Sequence, residues 1–191
     1  MKVHLKDVRI SFANIFDAKQ VQGQGDAKFS ASFIFAKTSP VVAELKTAIS
    51  AAATEKWGAK AGEVLKALQA SDKLCLHDGD AKSDNDGYVG NFFVNASNKT
   101  RPLVIGPQRE PLVAADGKPY SGCYVNAIVE VWPQDNQFGK RVNASLLGVQ
   151  FLRDGERLAG GGVAAADDFE AIPEAGKAAA AASGEGAKSL F

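Results

Sequence analysis

The sequence predicts a mainly β fold, in which a small antiparallel barrel carries a helical insertion and is followed by a disordered tail. Segments in which apolar and polar residues alternate flank a single stretch with helical spacing. After Leu158 the composition changes, and Ala and Gly dominate the remaining residues. The order of two strands, helices and about four further strands favours an antiparallel barrel over a parallel α/β fold.

Two strands are predicted before the helical stretch. The first covers residues 3–12, and a phase slip in its apolar pattern near Lys6 predicts a β-bulge, a common feature of small barrels. Residues 14–26 are rich in Gln and Gly and are predicted to form a loop. The second strand covers residues 28–37 and places its phenylalanines on one face.

The helical insertion is predicted at about residues 40–70. Ser39 is a suitable N-cap, Pro40 fits the first helical position, and apolar residues follow at helical spacing. Gly58 can end this helix, and a second short helix is predicted at residues 60–69. The strands then resume over residues 74–76, 88–96, 103–105, 120–132 and 141–152.

Charge divides the chain into two parts near residue 158. Lys plus Arg and Asp plus Glu both number 22, so the formal net charge is zero. The last 33 residues carry five acids and two lysines, which leaves a net charge of +3 on the rest of the chain. We therefore predict one folded domain over residues 1–158 and a flexible acidic tail over residues 159–191. Such a tail either improves solubility or contacts a partner.

The sequence carries few residues suited to catalysis or metal binding. Its two histidines and two cysteines match no known nucleophile, phosphate-loop or zinc pattern. Cys123 lies on the apolar face of its predicted strand, so a buried structural cysteine is favoured over a zinc ligand. No apolar run has the length expected of a signal peptide or a membrane span. We therefore predict a cytoplasmic protein without enzymatic activity, metal or other cofactor.

The strand predicted at residues 120–132 gives the strongest functional signal. Its apolar face alternates with a second face that carries Tyr120, Tyr124 and Trp132. Two interpretations of this second face remain open. The helical insertion covers it, or it forms a platform on which nucleic-acid bases stack, at about 1–3 kcal/mol per base.

Basic residues that lie near further aromatic residues favour the stacking interpretation. Single-stranded nucleic acid is held by cations that contact its phosphates and by rings that stack on its bases. The residues predicted to form such a site are Lys28, Lys37, Tyr88, Phe93, Lys99, Arg101, Tyr120, Tyr124, Trp132, Lys140 and Arg141.

Six segments of the sequence occur together in one known protein family. They are RISFANIFDAK, GDAKFSASFIF, GNFFVNASNKTRP, YSGCYVNAIVEVW, LGVQFLRDGERLAGG and DDF. Through them the chain resembles a bacteriophage family of single-stranded DNA-binding proteins over residues 8–169, with Ala159 at a position where Gly is usual. The resemblance implies an OB-fold-like five-stranded antiparallel barrel that coats single-stranded DNA, without sequence preference, during phage replication or recombination.

The tail is similar to the flexible acidic ends of replicative single-strand binders. This similarity implies that Asp167, Asp168 and Phe191 contact replication or recombination proteins. The alternative function is a protein-interaction module, whose aromatic face binds such a partner. Oligonucleotide binding separates the two functions, because phosphate contacts make affinity fall steeply with salt.

Overall fold

The computed structural model describes residues 1–21 and 24–158. Two helices, α1 (Pro40–Trp57) and α2 (Ala61–Ala70), lie between the second and third strands. The predicted tail, with Asp167, Asp168 and Phe191, lies outside the described residues. The strands are β1 (Lys2–Val21), β2 (Gln24–Ala36), β3 (Leu76–Asp78), β4 (Asn91–Asn98), β5 (Leu103–Ile105), β6 (Tyr124–Asn136) and β7 (Gly139–Arg153).

The seven strands belong to one sheet, in the order β3-β4-β2-β1-β6-β7-β5. Neighbouring strands are antiparallel, except that β5 runs parallel to β7. The inner five strands surround one apolar core, while β3 and β5 extend the two ends of the sheet. The mainly β fold with a helical insertion is confirmed. The sheet has seven strands rather than five, however, and the described pairings do not close it.

A short segment, residues 73–75, bridges β4 and β7, which are the strands next to the two end strands of the sheet. The Val142 N–H of β7 donates to the Lys73 carbonyl at 3.1 Å, and the Asn95 N–H of β4 donates to the Cys75 carbonyl at 3.3 Å. Further along the same two strands, Asn98 Nδ2 donates to the Leu146 carbonyl at 3.1 Å. In a closed barrel, these backbone groups of β4 and β7 would pair with each other. Here they are hydrogen-bonded to the bridging segment and to the Asn98 side chain instead.

Both ends of α1 follow the local sequence. Ser39 is the N-cap, its hydroxyl accepts from the Val41 N–H, and Pro40 occupies the first turn. Gly58 ends the helix with a φ of 53°, which favours glycine. The helix buries its apolar face, including Leu45, in the core formed with the strands. The predicted start and end of this helix are confirmed.

The structure also corrects the predicted course of β1. The bulge is confirmed, because the register between β1 and β6 shifts between Leu5 and Val8. The loop predicted at residues 14–26 is wrong, since β1 continues through Val21 and pairs with β2. The Gln and Gly residues are confined to residues 20–25, whereas residues 14–19 are extended because they pair with β2. The strand predicted at residues 120–132 instead begins at Tyr124.

Candidate nucleic-acid interface

A groove of about 900 Å³ crosses the outside of the sheet. One wall belongs to β2 and β4, the other belongs to β6 and β7, and residues 73–75 lie between them. Apolar and polar residues alternate along these strands, so the side opposite the core carries small polar side chains. On the walls these are Ser30, Ser32, Asn95, Ser97, Gln134, Asn143 and Ser145.

Hydrogen bonds between paired strands hold the polar walls in place. Ser32 Oγ donates to Asn95 Oδ1 at 2.6 Å across the β2–β4 pair. Asn143 Nδ2 donates to Gln134 Oε1 at 3.0 Å across the β6–β7 pair. The walls therefore present ordered donors and acceptors to the groove, on regular strands rather than on loops.

Basic side chains outnumber acidic ones along the groove. Asp72 is its acidic residue, and Asp72 Oδ1 lies 2.7 Å from His77 Nδ1. Lys99 is paired with Asp26, and the hydrogen bond and charge of Lys99 lower the pKa of the Asp26 carboxyl. The other cations form no ion pair with an acid among the described residues. The cations of the groove are Lys28, Lys73, Lys82, Lys99 and Arg141.

Two partly exposed aromatic rings, Trp132 and Phe12, also line the groove. Trp132 is 40% exposed, and its Nε1 donates to Ser145 Oγ at 2.9 Å, which orients the ring. Phe12 is 44% exposed and has a φ of 49°, a left-handed conformation that is unfavourable for a bulky residue. Such strain is common at functional sites, where it places a side chain that the regular strand would direct elsewhere.

Of the residues predicted from the sequence, the structure brings four together in the groove: Lys28, Lys99, Trp132 and Arg141. Sequence reasoning missed Phe12, Lys73 and Lys82. Phe12 has the same parity as the core residues Val8 and Ile10, so alternation predicts a buried ring. No sequence signal marks the left-handed turn that exposes it.

Tyr88 and Phe93, two of the predicted site residues, are buried and do not line the groove. They are 1% and 2% exposed and form a small cluster with Ile34, separate from the main core. Phe93 does lie on the side of β4 opposite Val94 of the main core, as the alternation predicts. The Tyr88 ring, with its centroid 4.9 Å away, packs edge-on against Phe93 and closes this position to a stacking base.

Tyr120 and Tyr124 lie in a separate region. We call it the tyrosine patch, and it also includes Arg153, Asp154 and Arg157. Tyr120 precedes β6, and its hydroxyl donates to Asp154 Oδ1 at 3.0 Å. The guanidinium carbon of Arg157 lies 4.2 Å from the Tyr120 ring centroid, and that of Arg153 lies 4.0 Å from the Tyr124 ring centroid. Both tyrosines are half-buried, and neither lines the groove. The expectation that both share one strand face with Trp132 is wrong for Tyr120.

Lys37 and Lys140 are held by acids outside the groove. Lys37 Nζ lies 2.8 Å from Asp78 and 2.7 Å from Asp80, and the pKa of Lys37 is raised by these hydrogen bonds. Lys140 Nζ lies 2.9 Å from Asp135. These ion pairs leave Lys37 and Lys140 less available to phosphate than the groove cations that have no acidic partner among the described residues.

Arg101 also lies outside the groove lining. Its guanidinium carbon is 6.0 Å from the centroid of the Phe16 ring, and Phe16 belongs to the hairpin extension of β1. Lys99 and Arg101, which are two residues apart in the chain, are therefore separated, with Lys99 in the groove and Arg101 beside Phe16.

The two cysteines are both buried and free. Burial raises the pKa of the Cys75 thiol to about 12, so Cys75 lines the groove as a neutral group. Among residues 1–21 and 24–158, no cluster of three or more His, Cys, Asp or Glu side chains is placed to hold a metal ion. The described helices include none that is long and apolar enough to span a membrane.

Comparison with known proteins identifies the family. The family model described as the ssDNA-binding protein of Enterobacter phage Enc34 matches residues 1–180. The chain belongs to this family. It is also similar to "Putative protein p50" of Acyrthosiphon pisum secondary endosymbiont phage 1, with 47% identity over 173 residues. That match covers 89% of this chain and 93% of the relative. The family predicted from the six sequence segments is confirmed.

Solved structures of phage proteins share the fold. The single-stranded DNA-binding protein of bacteriophage Enc34, solved in complex with ssDNA, is 26% identical, with a TM-score of 0.71. The match covers 82% of this chain and 88% of that one. The single-stranded DNA-binding protein gp2.5 of bacteriophage T7 has a TM-score of 0.55 and 12% identity, over 92% of this chain and 97% of that one. At that identity the T7 protein supports the fold alone.

Proposed function

We propose that this protein binds single-stranded DNA in the groove, without sequence preference, and acts in phage DNA replication or recombination. The observation that carries the proposal is the groove itself, where cations without acidic partners among the described residues lie beside two partly exposed rings. Membership of the Enc34 family supports it, because a protein of that family has been solved with ssDNA bound.

The chemistry of the groove matches a single strand. Arg141, Lys28 and Lys73 contact phosphates, and the faces of Trp132 and Phe12 receive bases. Stacking discriminates weakly among bases because each base has a π-face, which accounts for binding without sequence preference. The Ser and Asn side chains of the walls bond to sugar or base edges in whatever sequence is bound. Binding requires no bond to be broken, so the proposed role is non-enzymatic.

A salt titration against a fluorescent single-stranded oligonucleotide tests the proposal. Each phosphate contact on a single strand contributes about −0.7 to the slope of log affinity against log salt concentration. Contacts from four or five groove cations therefore predict a slope of roughly −3. Unlabelled single-stranded DNA should compete well at any sequence, and duplex DNA should compete poorly.

Two results would overturn this function. One is the absence of binding to any oligonucleotide at low salt, which would favour a protein-interaction module. The other is binding with a slope near zero, because the cations of the groove would then not contact phosphates.

A further inference from the structure

A second pocket of about 830 Å³ lies between the helical insertion and the sheet. We call it the helical pocket. Lys46 of α1 and Lys66 of α2 stand on one side, and Leu76 of β3 and Phe92 of β4 stand on the other. Its volume is within the range of pockets that bind small organic groups, and is large enough for a nucleobase with its sugar and phosphate.

The helical pocket adjoins the groove. Asp72, Leu74, His77 and Lys82 line both cavities. At this junction the His77 ring stacks on Phe93, with centroids 4.9 Å apart and planes 20° apart. Lys82 Nζ lies 4.9 Å from the same Phe93 ring. A DNA strand that leaves the groove at this end therefore reaches Lys82 and the edge of the helical pocket.

The chemistry of the helical pocket suits a nucleotide. Its floor includes the half-buried apolar side chains Leu65, Leu76 and Phe92, which can receive a base. Exposed lysines stand at its rim, and among the described residues Lys46 and Lys66 form no ion pair.

The lysines of the helical pocket outnumber its acids. Lys46, Lys66 and Lys82 line it against Asp72 and Asp78, and Asp78 is paired with Lys37 at 2.8 Å. The net charge of the lining is therefore positive, and it complements a phosphate backbone.

We infer that the DNA track continues past His77 into the helical pocket, where Lys46 and Lys66 contact phosphates and the apolar floor receives a base. This inference rests on the proposed function, and it assigns the helical insertion a direct part in binding. An acidic peptide with an apolar side chain would satisfy the same charges. The shared wall with the groove favours DNA, because a strand bound in the groove is delivered to the pocket without a second binding event.

The test uses the full-length protein with Lys46→Gln and Lys66→Gln combined. Gln has nearly the helix propensity of Lys, so the helices and the thermal unfolding midpoint should be unchanged. The matched control combines Lys56→Gln and Lys60→Gln, which remove the same charge from exposed positions of the helical insertion that line neither cavity. Affinity is measured for oligo-dT from about 4 to about 16 nucleotides, the range of site sizes for single OB folds.

We expect the pocket variant to bind the shortest oligonucleotides as the unmodified protein does. For the longest oligonucleotides its salt slope should be smaller by about 1.4, from two lost contacts of about 0.7 each, while the control keeps the full slope. Equal behaviour of the two double variants at every length would overturn the inference and leave the groove function intact. An effect on short and long oligonucleotides alike would also overturn it. Failure of the proposed function is a different result, because the unmodified protein would then bind no oligonucleotide.

Discussion

The groove and the tyrosine patch both combine aromatic rings with basic side chains. Of the two regions, only the groove leaves its rings and cations available to a ligand. In the groove, Trp132 is partly exposed and Arg141 forms no ion pair within the described residues. In the patch, Arg153 lies over Tyr124 and Arg157 lies over Tyr120. The same residue types form a binding surface in one region and a structural contact in the other.

The two regions differ because different segments pack against the two ends of β6. Tyr124 and Trp132 have the same parity on this strand, but the segment after β7 packs against its start, where Gly155 lies against the Tyr124 ring and the Leu158 N–H donates to the Ser121 carbonyl. Arg9 holds that segment, since its Nη2 donates to the Glu156 carbonyl at 2.7 Å and its Nε donates to the Gly122 carbonyl at 3.1 Å. The far part of β6, which carries Trp132, faces the groove instead.

The largest expected difference between the two regions is in base stacking. Trp132→Ala should weaken oligonucleotide binding by about 1–3 kcal/mol, roughly 5- to 150-fold, because a stacking face is lost. Tyr124→Ala should change affinity by less than about twofold, because Arg153 occupies its ring face. Fluorescence anisotropy at one salt concentration measures both, and Trp132→Phe, which keeps a ring, should retain most of the binding. A loss for Tyr124→Ala as large as that for Trp132→Ala would break the comparison.

Substitutions of Phe12 are expected to affect the stability of the protein and its DNA binding differently. Its left-handed backbone costs about 1–2 kcal/mol for a residue with a Cβ, and glycine removes that cost. Phe12→Gly relieves this strain, which offsets the lost packing of the ring and the extra chain entropy of glycine, so it should leave the free energy of unfolding roughly unchanged while it weakens oligonucleotide binding. Phe12→Ala, which loses the ring but keeps the strain, should weaken binding and also lower the free energy of unfolding. Urea denaturation and anisotropy measure the two quantities, and unchanged binding by both variants would exclude Phe12 from the site.

The smallest expected effect concerns cations and appears in the salt dependence. Lys28→Gln combined with Arg141→Gln should reduce the magnitude of the salt slope by about 1.4, at about 0.7 per phosphate contact. The matched variant, Lys37→Gln with Lys140→Gln, should leave the slope unchanged, because these lysines are held by Asp78, Asp80 and Asp135. Equal slopes for the two double variants would show that ion pairing does not decide which cations contact DNA.

Much of the fold was predictable because it depends on neighbouring residues. The N-cap at Ser39, the end of α1 at Gly58 and the bulge between Leu5 and Val8 all follow from local sequence. The hairpin extension of β1 was not predictable, because residues 14–21 lack a regular apolar alternation and their strand character comes from pairing with β2. The bridge formed by residues 73–75 was also beyond local reasoning, because it joins two strands that are distant in the chain.

The sequence alone determines the family and the mainly β fold. It also determines the alternation that directs small polar side chains and Trp132 away from the core. Whether a ring or a cation is available to a ligand does not follow from the sequence, because it depends on which group packs against it in the folded chain. Arg153 covers Tyr124 from a different strand, and Tyr88 covers Phe93 and Asp135 holds Lys140 only because the chain turns back between the two partners. Phe12 is the converse case, since a left-handed φ exposes a ring that alternation assigns to the core. Alternation is a property of one strand, whereas a binding surface is whatever several packed elements leave uncovered.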